Sequence, residues 1–516
     1  MKLFSRITTF ILALLMICAM AVACANNQGD NQDTTTPKAD NPGDNTAAPS
    51  GDDTAANVDE NGFLKDNLPD DLDYKNAEVM VLHWNAERDE FVSEGISGDN
   101  ILDAIWTRNI NIEDRLGVKL SFEECEGNNK NLDVFLKKVS NSFSAGDKIY
   151  DIIATYSRTA AQLAIKGFYA DLNKIEDSYI DKDMPGWPEA ITETMGVGDA
   201  LYYISGDAST NTLHFMYTIY YNKDLLTDLN LTDPTEYVLN NTWTIDKLIE
   251  MTTNQYQDLD NDASLSQGDF YGFTPIYYGV DAFYTGSDLK LVERTNDSDF
   301  IKISDDYFSQ KAIDLVDKLK GWLTSSDCYV SRKGAAVSFA VPFVNGNALF
   351  CQNRVYLADA KHGSGLNSVE WKYGLVPTPK YSESQENYIT VIGNPFTLYG
   401  VMTDCDQKTM MSAVIECWGS EAYRLTTPAL FETNMKYKYS ALDVSAQMFD
   451  ILRETSSFDQ GRIYSNTLGP YMSEIISSCA CDGGSWATIS KPYSRALTKQ
   501  LENIIKSFQK IQDNSN

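Results

Sequence analysis

The first part of the globular region alternates between strand and helix patterns, and this alternation constrains the fold more than any other feature. Residues 77–82 and 150–154 are short β-prone runs, and residues 118–122 alternate apolar and polar side chains. Apolar residues at helical spacing occupy the two intervals, over 100–116 and 132–143. Strand, helix, strand, helix and strand at this spacing predict parallel β-α-β units, and therefore an α/β fold.

The predicted sheet also indicates where a ligand site lies. Open α/β sheets bind ligands beyond the carboxyl ends of their strands. Trp84 and Asn85 follow the first predicted strand, and Tyr156 follows the third. We therefore expect these residues to border a ligand cleft.

The amino terminus predicts export. Lys2 and Arg6 precede an apolar stretch, residues 7–22, that is short for a transmembrane span but suits a secretory signal. The stretch ends in Ala-Val-Ala-Cys, which resembles the bacterial lipobox, with alanine where that pattern prefers leucine. The resemblance implies a signal peptide over residues 1–23 and a diacylglycerol on Cys24. The alternative is ordinary cleavage that leaves this cysteine free.

The chain then changes composition. Residues 24–60 are mostly Asn, Asp, Gly, Thr, Pro and Ala, a composition that cannot bury enough apolar surface to fold. We therefore expect a flexible tether there. Residues 61–516 have aliphatic runs and frequent aromatic residues, as a folded domain does. These about 455 residues exceed what one core usually holds, so two lobes are expected.

Charge and missing motifs narrow the function classes. The formal net charge of −31 argues against nucleic acid as a partner, and it disfavours a strongly anionic ligand unless a local basic pocket overrides it. The three histidines stand in no zinc-binding pattern, and the chain contains no phosphate-binding P-loop. Apart from one cysteine in the signal and one at the anchor, the seven cysteines are too widely spaced for a disulfide framework, so we expect mostly buried thiols.

An acidic segment has the spacing of a calcium-binding loop of the EF-hand type. Oxygen side chains at alternate positions direct carboxylates, which would otherwise repel one another, onto one hard cation. The candidate ligands are Asp258, Asp260, Asp262, Ser264 and Asp269. The turn glycine is replaced by alanine and the last ligand is Asp rather than Glu, so a solvated acidic loop is the alternative to a structural Ca²⁺ site. No other cofactor is expected.

A series of short motifs follows the order of one known family. Ile219–Leu226, which reads Ile-Tyr-Tyr-Asn-Lys-Asp-Leu-Leu, is the most specific of them and matches that family's YYNKDLf segment. The others are Tyr150–Ile153, Gly167–Leu172, Trp243–Leu248, Gly346–Phe350, Tyr373–Lys380 and Thr427–Glu432. Over about residues 74–510 the chain thus resembles extracellular solute-binding proteins of the maltose-binding-like family, which serve ATP-dependent importers.

The resemblance implies an α/β fold with two lobes, of the type II periplasmic-binding-protein class, with hinge strands between the lobes and extra helices. The first lobe would hold about residues 73–216 and 380–435, and the second about 217–379 and 436–516. In such receptors the lobes close on a ligand, and the importer's membrane subunits recognise the closed form. The expected protein is a monomeric, lipid-anchored, extracytoplasmic receptor that performs no chemistry on its ligand.

The family resemblance and the many aromatic residues together predict a neutral mono- or oligosaccharide as the ligand, since the apolar faces of a pyranose pack on flat rings. The candidate contacts are Trp84, Asn85, Glu87, Asp151, Tyr156, Trp187, Tyr217 and Trp486, the last in a glycine-rich segment expected to form a flexible turn. For each aromatic residue the alternative is an ordinary core or surface position. Peptides and cationic ligands such as polyamines remain open, because net acidity suits a cation.

Two other functions remain open. A lipid-anchored glycoside hydrolase would share the export signal, the aromatic residues and the acidity, and the 73 Asp and Glu residues leave room for a catalytic pair. A surface adhesin without a small ligand is the third possibility. The ordered motifs favour the receptor over both.

Overall fold

The computed structural model describes residues 57–515, except for 296–300, 331–339, 359–364, 432–442, 458 and 470–473. The predicted signal peptide, Cys24 and most of the predicted tether lie outside the described residues. The tether was expected to extend to residue 60, but the folded chain already includes Asn57, whose side-chain amide donates to the backbone oxygen of Asp66 at 3.2 Å. Val58 also forms a β-bridge with Leu64. The folded body therefore begins earlier than the composition indicates.

The described residues form twelve strands and a larger set of helices. The strands are β1 (Ala77–Trp84), β2 (Val118–Cys125), β3 (Ile152–Tyr156), β4 (Tyr217–Asn222), β5 (Tyr271–Thr274), β6 (Val292–Arg294), β7 (Ile301–Ile303), β8 (Ala348–Arg354), β9 (Tyr373–Pro377), β10 (Thr390–Val391), β11 (Thr397–Val401) and β12 (Ser456–Ser457). The first α-helices are α1 (Arg88–Phe91), α2 (Asn100–Leu116), α3 (Leu132–Ala145), α4 (Ser157–Ile165), α5 (Glu189–Met195), α6 (Thr210–His214), α7 (Lys223–Asp228), α8 (Pro234–Leu239), α9 (Ile245–Thr252) and α10 (Ala282–Gly286).

The remaining α-helices are α11 (Gln310–Leu323), α12 (Val341–Val344), α13 (Lys408–Glu421), α14 (Thr427–Phe431), α15 (Asp443–Glu454), α16 (Gln460–Ile463), α17 (Ser465–Leu468), α18 (Glu474–Asp482) and α19 (Trp486–Ser515). Helix α13 continues through a π-helical turn, Ala422–Thr426, into α14. Short 3₁₀ turns lie at Asn85–Glu87, Leu172–Lys174, Tyr277–Gly279, Asp305–Phe308, Val355–Ala358 and Leu366–Ser368. No described helix is both long enough and apolar enough to cross a membrane.

The first lobe is built on a sheet with the strand order β11-β3-β1-β2. β1 pairs in parallel with β2 and β3, whereas β11 runs antiparallel to β3. Helix α2 links β1 to β2: the Asp99 carboxylate caps its start by accepting bonds from the backbone N–H groups of Ile101 and Leu102. Gly117 ends the helix in the left-handed conformation, with φ 59°, which glycine adopts without strain. The predicted parallel β-α-β units are confirmed.

The second lobe is built on a sheet with the order β5-β8-β4-β9. The central strand β4 runs antiparallel to β8 and β9, and β5 runs parallel to β8. All six residues of β4 are buried, and its last residue, Asn222, accepts a hydrogen bond from the backbone N–H of Leu225. The Ile219–Leu226 motif is therefore a central strand followed by a capped helix.

Residues 243–323 contain both helices and strands. Helices α9, α10 and α11 lie in this segment, and strands β5, β6 and β7 separate them. Tyr271–Thr274 joins the sheet of the second lobe beside β8. Pairing with a strand from a distant part of the chain therefore decides its structure, as is usual for β-strands.

The chain crosses between the lobes at three places: before β4, along β10 to β11, and around β12. An antiparallel bridge between Met216 and Ile392 joins the first two crossings, and β12 pairs in parallel with β10. The second crossing was expected near residue 380. The Lys380 ammonium instead donates to the Asn241 side chain of the second lobe at 2.8 Å, so the crossing follows later, at β10.

Residues 436–516 were expected to belong to the second lobe. The structure shows instead that these carboxyl-terminal helices contact both lobes. Arg453 of α15 donates to Asp207 of the first lobe at 2.8 Å. Helix α19 begins on the second lobe and ends on the first, where the ring of Phe508 stacks on Tyr202 with centroids 5.2 Å apart. The reason is an apolar stripe that continues along the helix, whose buried members are Leu497, Leu501, Ile504 and Phe508.

Cysteine burial agrees with the sequence. The seven cysteines of the described chain are free thiols, and six of them are buried; only Cys125 is partly exposed. Burial raises the pKa of Cys351 to about 12, which keeps that thiol protonated and unreactive.

Candidate functional site

Aromatic and charged side chains converge where the carboxyl end of β3 meets β4, β8 and the crossing segments. We call this group the interlobe cluster. Its members are Tyr156 and Arg158 from the first lobe, Tyr217, Tyr278, Asp281 and Arg354 from the second, and Asn394 and Arg462 from the crossing segments. β3 and β8 both end here, as the rule for ligand sites in open sheets requires.

Arg354 lies at the centre of the cluster and is only 8 % exposed. Its guanidinium carbon is 4.9 Å from the ring centre of Phe215 and 5.1 Å from the ring centres of both Tyr217 and Tyr278. Its Nη2 donates to the Tyr217 hydroxyl at 2.9 Å, whereas its Nε is buried without a hydrogen-bond partner among the described residues. Because arginine stays protonated in proteins, this position holds a permanent buried charge.

Arg462 and Asp281 form the ionic contact of the cluster. Arg462 Nε lies 3.3 Å from Asp281 Oδ2, and both side chains are buried. Within the described residues, Arg462 Nη1 and Asp281 Oδ1 have no hydrogen-bond partner. Burial raises the pKa of Asp281, and the positive charges of Arg462, Arg354 and Arg158 oppose that rise. The pair therefore leaves both a donor and an acceptor unused.

The second crossing segment holds two of the cations in place. With its amide in the orientation that satisfies both side chains, the Asn394 oxygen accepts from Arg158 Nε at 2.9 Å and from Nη2 at 2.7 Å. Gly393 lies directly against Arg354, since a β-carbon at this glycine would be 2.7 Å from the arginine Nε. The guanidinium can therefore occupy its position only because residue 393 has no side chain.

A cavity of 320 Å³ opens beside the carboxyl end of β1. Glu90 lies in its wall, nearly fully buried, and accepts hydrogen bonds from the Ser209 and Thr210 hydroxyls at 3.1 and 3.2 Å. Burial raises the pKa of Glu90, and its hydrogen bonds and the charge of Arg108 oppose that rise. The cavity is lined by Asn85, Ala86, Glu87, Asp89, Glu90, Ile101, Ile105, Thr210, Asn211 and His214. Two predicted ligand contacts, Asn85 and Glu87, thus border an accessible space.

Trp84 and Tyr156, also predicted as ligand contacts, are stacked on each other with ring centroids 5.5 Å apart. The Trp84 indole nitrogen donates to the Thr397 hydroxyl at 2.9 Å, and the side chain is 1 % exposed. Trp84 therefore supports Tyr156 rather than presenting its own ring to the cleft. Tyr156 and Tyr217 are the two predicted residues that the structure brings into the interlobe cluster.

The other three predicted contacts lie away from the cluster. Asp151 precedes β3, at the opposite end of the strand from Tyr156, and accepts a bond from the backbone N–H of Met80 at 2.9 Å. The indole of Trp187 donates to Glu416 at 2.8 Å inside the first lobe. Asp151 and Trp187 are thus structural groups of that lobe.

Trp486 does not lie in a flexible turn, as was expected from its neighbouring glycines. It is the first residue of α19, and its indole donates to the backbone oxygen of Tyr307 at 3.1 Å. The ring is 1 % exposed and packs on the second lobe. Trp486 therefore occupies an ordinary core position.

Sequence reasoning missed most of the interlobe cluster. The missed residues are Arg158, Tyr278, Asp281, Arg354, Asn394 and Arg462. Arg354 stands out only in the structure, because it ends a strand whose seven residues are all buried, where a charged residue is unusual. The others come from separate elements that the fold alone brings together.

The acidic segment folds into a loop in which three of the five predicted calcium ligands meet. One carboxylate oxygen from each of Asp258, Asp260 and Asp262 lies within 4.8 Å of the others. Asp269 is buried instead and accepts bonds from the backbone N–H groups of Leu259 and Ser266 at 3.1 and 2.9 Å. Three converging carboxylates suit a hard cation, but the buried Asp269 is already engaged within the loop. Calcium binding therefore stays a prediction.

No known family model matches the chain, and no curated protein matches its sequence. Solved structures do match its fold. The galacto-N-biose-/lacto-N-biose I-binding protein of the ABC transporter from Bifidobacterium longum, in complex with lacto-N-biose, is 11% identical and has a TM-score of 0.56 over 84% of this chain and 98% of that one. The cyclic alpha-maltosyl-1,6-maltose binding protein from Arthrobacter globiformis is 15% identical, with a TM-score of 0.55 over 83% of this chain and 100% of that one.

An ABC substrate-binding protein from Listeria monocytogenes, in complex with cycloalternan, is also 15% identical, with a TM-score of 0.50 over 83% of this chain and 99% of that one. At these identities the likeness concerns the fold. The two sheets, the crossings between them and the coverage of nearly the whole of each compared protein agree with one architecture. The chain therefore has the two-lobed α/β fold of ABC-transporter solute-binding proteins, as its motifs predicted.

Proposed function

We propose that this chain is an extracytoplasmic receptor that binds a small carbohydrate between its lobes and delivers it to an ABC-type importer. The observation that carries the proposal is the interlobe cluster, in which both lobes contribute aromatic rings and buried polar atoms. Small-molecule sites combine such apolar faces with a few fixed polar groups. Of the three compared proteins with this fold, two are described as ABC substrate-binding or ABC-transporter binding proteins, and the third as a binding protein for a cyclic maltosyl-maltose, which supports the same role here.

Lobe closure follows from where the cluster residues are attached. Tyr156 and Arg158 move with the first lobe, whereas Tyr217 and Arg354 move with the second. A ligand that touches both sets binds the closed form more tightly than the open form and shifts the population towards it. Tyr278, which is 37 % exposed, and the partly exposed Arg158 form the open edge of the cluster, whose other members are buried.

The carboxylates of the cluster favour binding over hydrolysis. Glycoside hydrolases place two carboxyl groups on either side of the scissile bond. Asp281 is the single carboxylate among the cluster residues defined above. The nearby Asp459 accepts bonds from the backbone N–H groups of Leu291 and Gly461 at 2.6 and 2.7 Å, so it is engaged in the fold. No observation in the described chain favours the hydrolase.

Export and anchoring complete the proposal. Cys24 would carry a diacylglycerol and hold the monomeric receptor at the outer face of the membrane. A single acyl chain binds membranes only weakly, whereas two or more anchor stably. Cells that express the Cys24→Ala variant should release the protein into the soluble fraction and lose its incorporation of labelled palmitate. Membrane retention of that variant would contradict the anchor while leaving the binding role intact.

Thermal unfolding of the purified chain against a panel of saccharides tests the binding role. A ligand at a hundred times its dissociation constant adds about 2.7 kcal/mol to the free energy of unfolding. The sugar should be recovered unchanged, and small-angle scattering should show a more compact protein in its presence. Turnover of the sugar would support the hydrolase instead, and the absence of any response to saccharides would overturn the proposal.

A further inference from the structure

We infer that the saccharide carries an oxyanion, such as the carboxylate of a uronic acid, and that this group binds between Arg354 and Arg462. The inference rests on the proposed function and specifies its ligand class. It departs from the neutral saccharide that the sequence predicted, because the site is locally cationic although the chain is strongly acidic.

Unused hydrogen-bond donors mark the position of the anion. Arg354 Nε and Arg462 Nη1 are both buried without a partner among the described residues. Both guanidinium groups lie against the same ring, with their central carbons 5.1 and 5.5 Å from the ring centre of Tyr217. Two buried N–H donors on neighbouring cations match the two oxygens of a carboxylate.

The balance of charge around this ring is positive. The cations are Arg158, Arg354 and Arg462, and the carboxylates that interact with them are Asp281 and Asp459. The Asp459 oxygens are occupied by backbone N–H donors, and Asp281 faces all three cations. In the described structure no carboxylate lies within ion-pair distance of Arg354, whose closest polar contact is a phenol.

An uncompensated charge is costly to bury, and arginine cannot lose its proton to avoid that cost. Contacts with aromatic rings offset part of the penalty for Arg354, since a cation over a ring contributes about 0.5–2 kcal/mol. A neutral sugar would supply hydroxyl oxygens but no counter-charge. An anionic group would supply both, so the site is better matched to an acidic saccharide.

Asp281 indicates that the ligand also has hydroxyl groups. Its Oδ1 is a buried acceptor without a donor in the described chain, a few ångströms from the cations. A free inorganic anion would leave this oxygen unpaired and would be repelled by it. A sugar acid satisfies both needs at once, because its carboxylate takes the guanidinium donors and a ring hydroxyl donates to Asp281.

Calorimetry with two panels of oligosaccharides tests the inference on the full purified chain. The acidic panel consists of partial hydrolysates of pectin and alginate, which carry carboxylates, and of carrageenan, which carries sulfate esters without carboxylates. The neutral panel consists of hydrolysates of galactan, arabinan and starch. We expect an acidic oligosaccharide to bind at least about a hundredfold more tightly than any neutral one, a difference of about 2.7 kcal/mol. Raising the salt concentration should narrow that difference.

Variants connect the affinity to the two arginines. Arg354→Gln and Arg462→Gln should each weaken binding of the acidic ligand at least about tenfold, and Arg354→Lys should retain part of it. Arg115→Gln, which makes the same chemical change on the first lobe where Arg115 pairs with Asp66, is the matched control and should bind normally.

Each outcome has a separate meaning. Tight binding of neutral oligosaccharides and none of acidic ones would overturn this inference and leave the proposed receptor standing. Binding of sulfate or phosphate alone as tightly as the best acidic saccharide would overturn the saccharide part. Failure of both panels would overturn the proposed function itself.

Discussion

Two buried ionic groups, one inside the first lobe and one between the lobes, are built differently. Glu90 and Arg108 lie within the first lobe, where Glu90 accepts four hydrogen bonds, from Ser209, Thr210, Asn211 and Tyr399. Arg108 donates to the Glu90 backbone oxygen at 3.0 Å and keeps one nitrogen unpaired. In the interlobe cluster, Arg354, Arg462 and Asp281 all retain unpaired polar atoms.

The difference separates structural charge from charge that is available to a ligand. Buried polar groups in stable folds are nearly always hydrogen-bonded, so an almost saturated network belongs to the folded lobe. In the interlobe cluster, by contrast, three charged residues that lie together all retain unused donors or acceptors, which a ligand between the lobes can satisfy. Judged by the number of hydrogen bonds that each side chain makes, Glu90 stabilises the first lobe, and Arg354 is available to bind the ligand.

The largest expected effect tests this contrast directly. Glu90→Ala leaves several buried donors unpaired and removes the charge that faces Arg108, so the free energy of unfolding should fall by about 3–5 kcal/mol. Arg354→Gln in the ligand-free protein should cost less than half as much, because it also removes an uncompensated charge. Urea unfolding of both variants measures this. Equal losses would show that the two groups are structurally equivalent.

Glu416 is a third buried carboxylate to compare with Glu90 and Asp281, and no cation among the described residues lowers its pKa. Glu416 accepts bonds from the Trp187 indole and the Asp181 backbone N–H, and burial raises its pKa from 4.5 to about 7. The folded state therefore keeps a proton that the unfolded state loses above pH about 4.5, and stability falls as the pH rises through that window to about 7. This pKa shift corresponds to about 3 kcal/mol.

Glu416→Gln should remove that pH dependence. Relative to the parent protein, the variant should gain up to about 3 kcal/mol in unfolding free energy between pH 4 and pH 8. Urea unfolding across this range provides the measurement. A difference between the two proteins that stays constant with pH would show that Glu416 is not buried as described.

A smaller effect is expected at Gly393, which should alter binding more than folding. The added β-carbon of Gly393→Ala would lie 2.7 Å from Arg354 Nε and would displace the guanidinium. Affinity for the ligand should fall about tenfold, or about 1.4 kcal/mol. Gly321→Ala is the control, because a β-carbon there meets nothing within 4 Å. A normal affinity for Gly393→Ala would show that the position of Arg354 does not matter.

The smallest effect concerns the acidic loop, whose residues belong to neither ionic group. If the three converging carboxylates hold Ca²⁺ with the millimolar affinity typical of extracellular modules, excess calcium should add about 1 kcal/mol to stability. Asp260→Asn should abolish the increase, and magnesium should not reproduce it. A melting temperature that ignores calcium would leave this segment as a solvated acidic loop.

Local sequence patterns predicted much of the first lobe, because its signals are local. Asp99 and Gly117 bound a helix through contacts with their own neighbours, and the parallel strands around that helix follow from spacing alone. The binding site is different, since Tyr156, Arg354 and Arg462 meet only after three distant segments have packed. Tyr156 was predicted through its position at a strand end and Tyr217 as one of the aromatic candidates, whereas the arginines were not predicted.

The prediction of a neutral ligand stays untested, and it used a property of the whole chain rather than of the site. It rested partly on the net charge of −31, which is an average over the entire chain. An average of this kind contains no information about two guanidinium groups placed around one tyrosine ring. The sequence also does not show which aromatic side chains are buried. Trp187 and Trp486, which were predicted as ligand contacts, are buried inside their lobes and do not line the cleft.

Helix α19 has a mechanical consequence for the movement of the lobes. Its 30 residues correspond to about 45 Å, with Trp486 fixed to the second lobe and Phe508 to the first. A helix that is attached to both lobes resists stretching along its axis but allows the lobes to rotate about that axis. The lobes should therefore open by rotating about a hinge axis near this helix, rather than by moving straight apart. Pro492, six residues after the second-lobe attachment at Trp486, interrupts the backbone hydrogen bonds and is the point where the helix bends most easily.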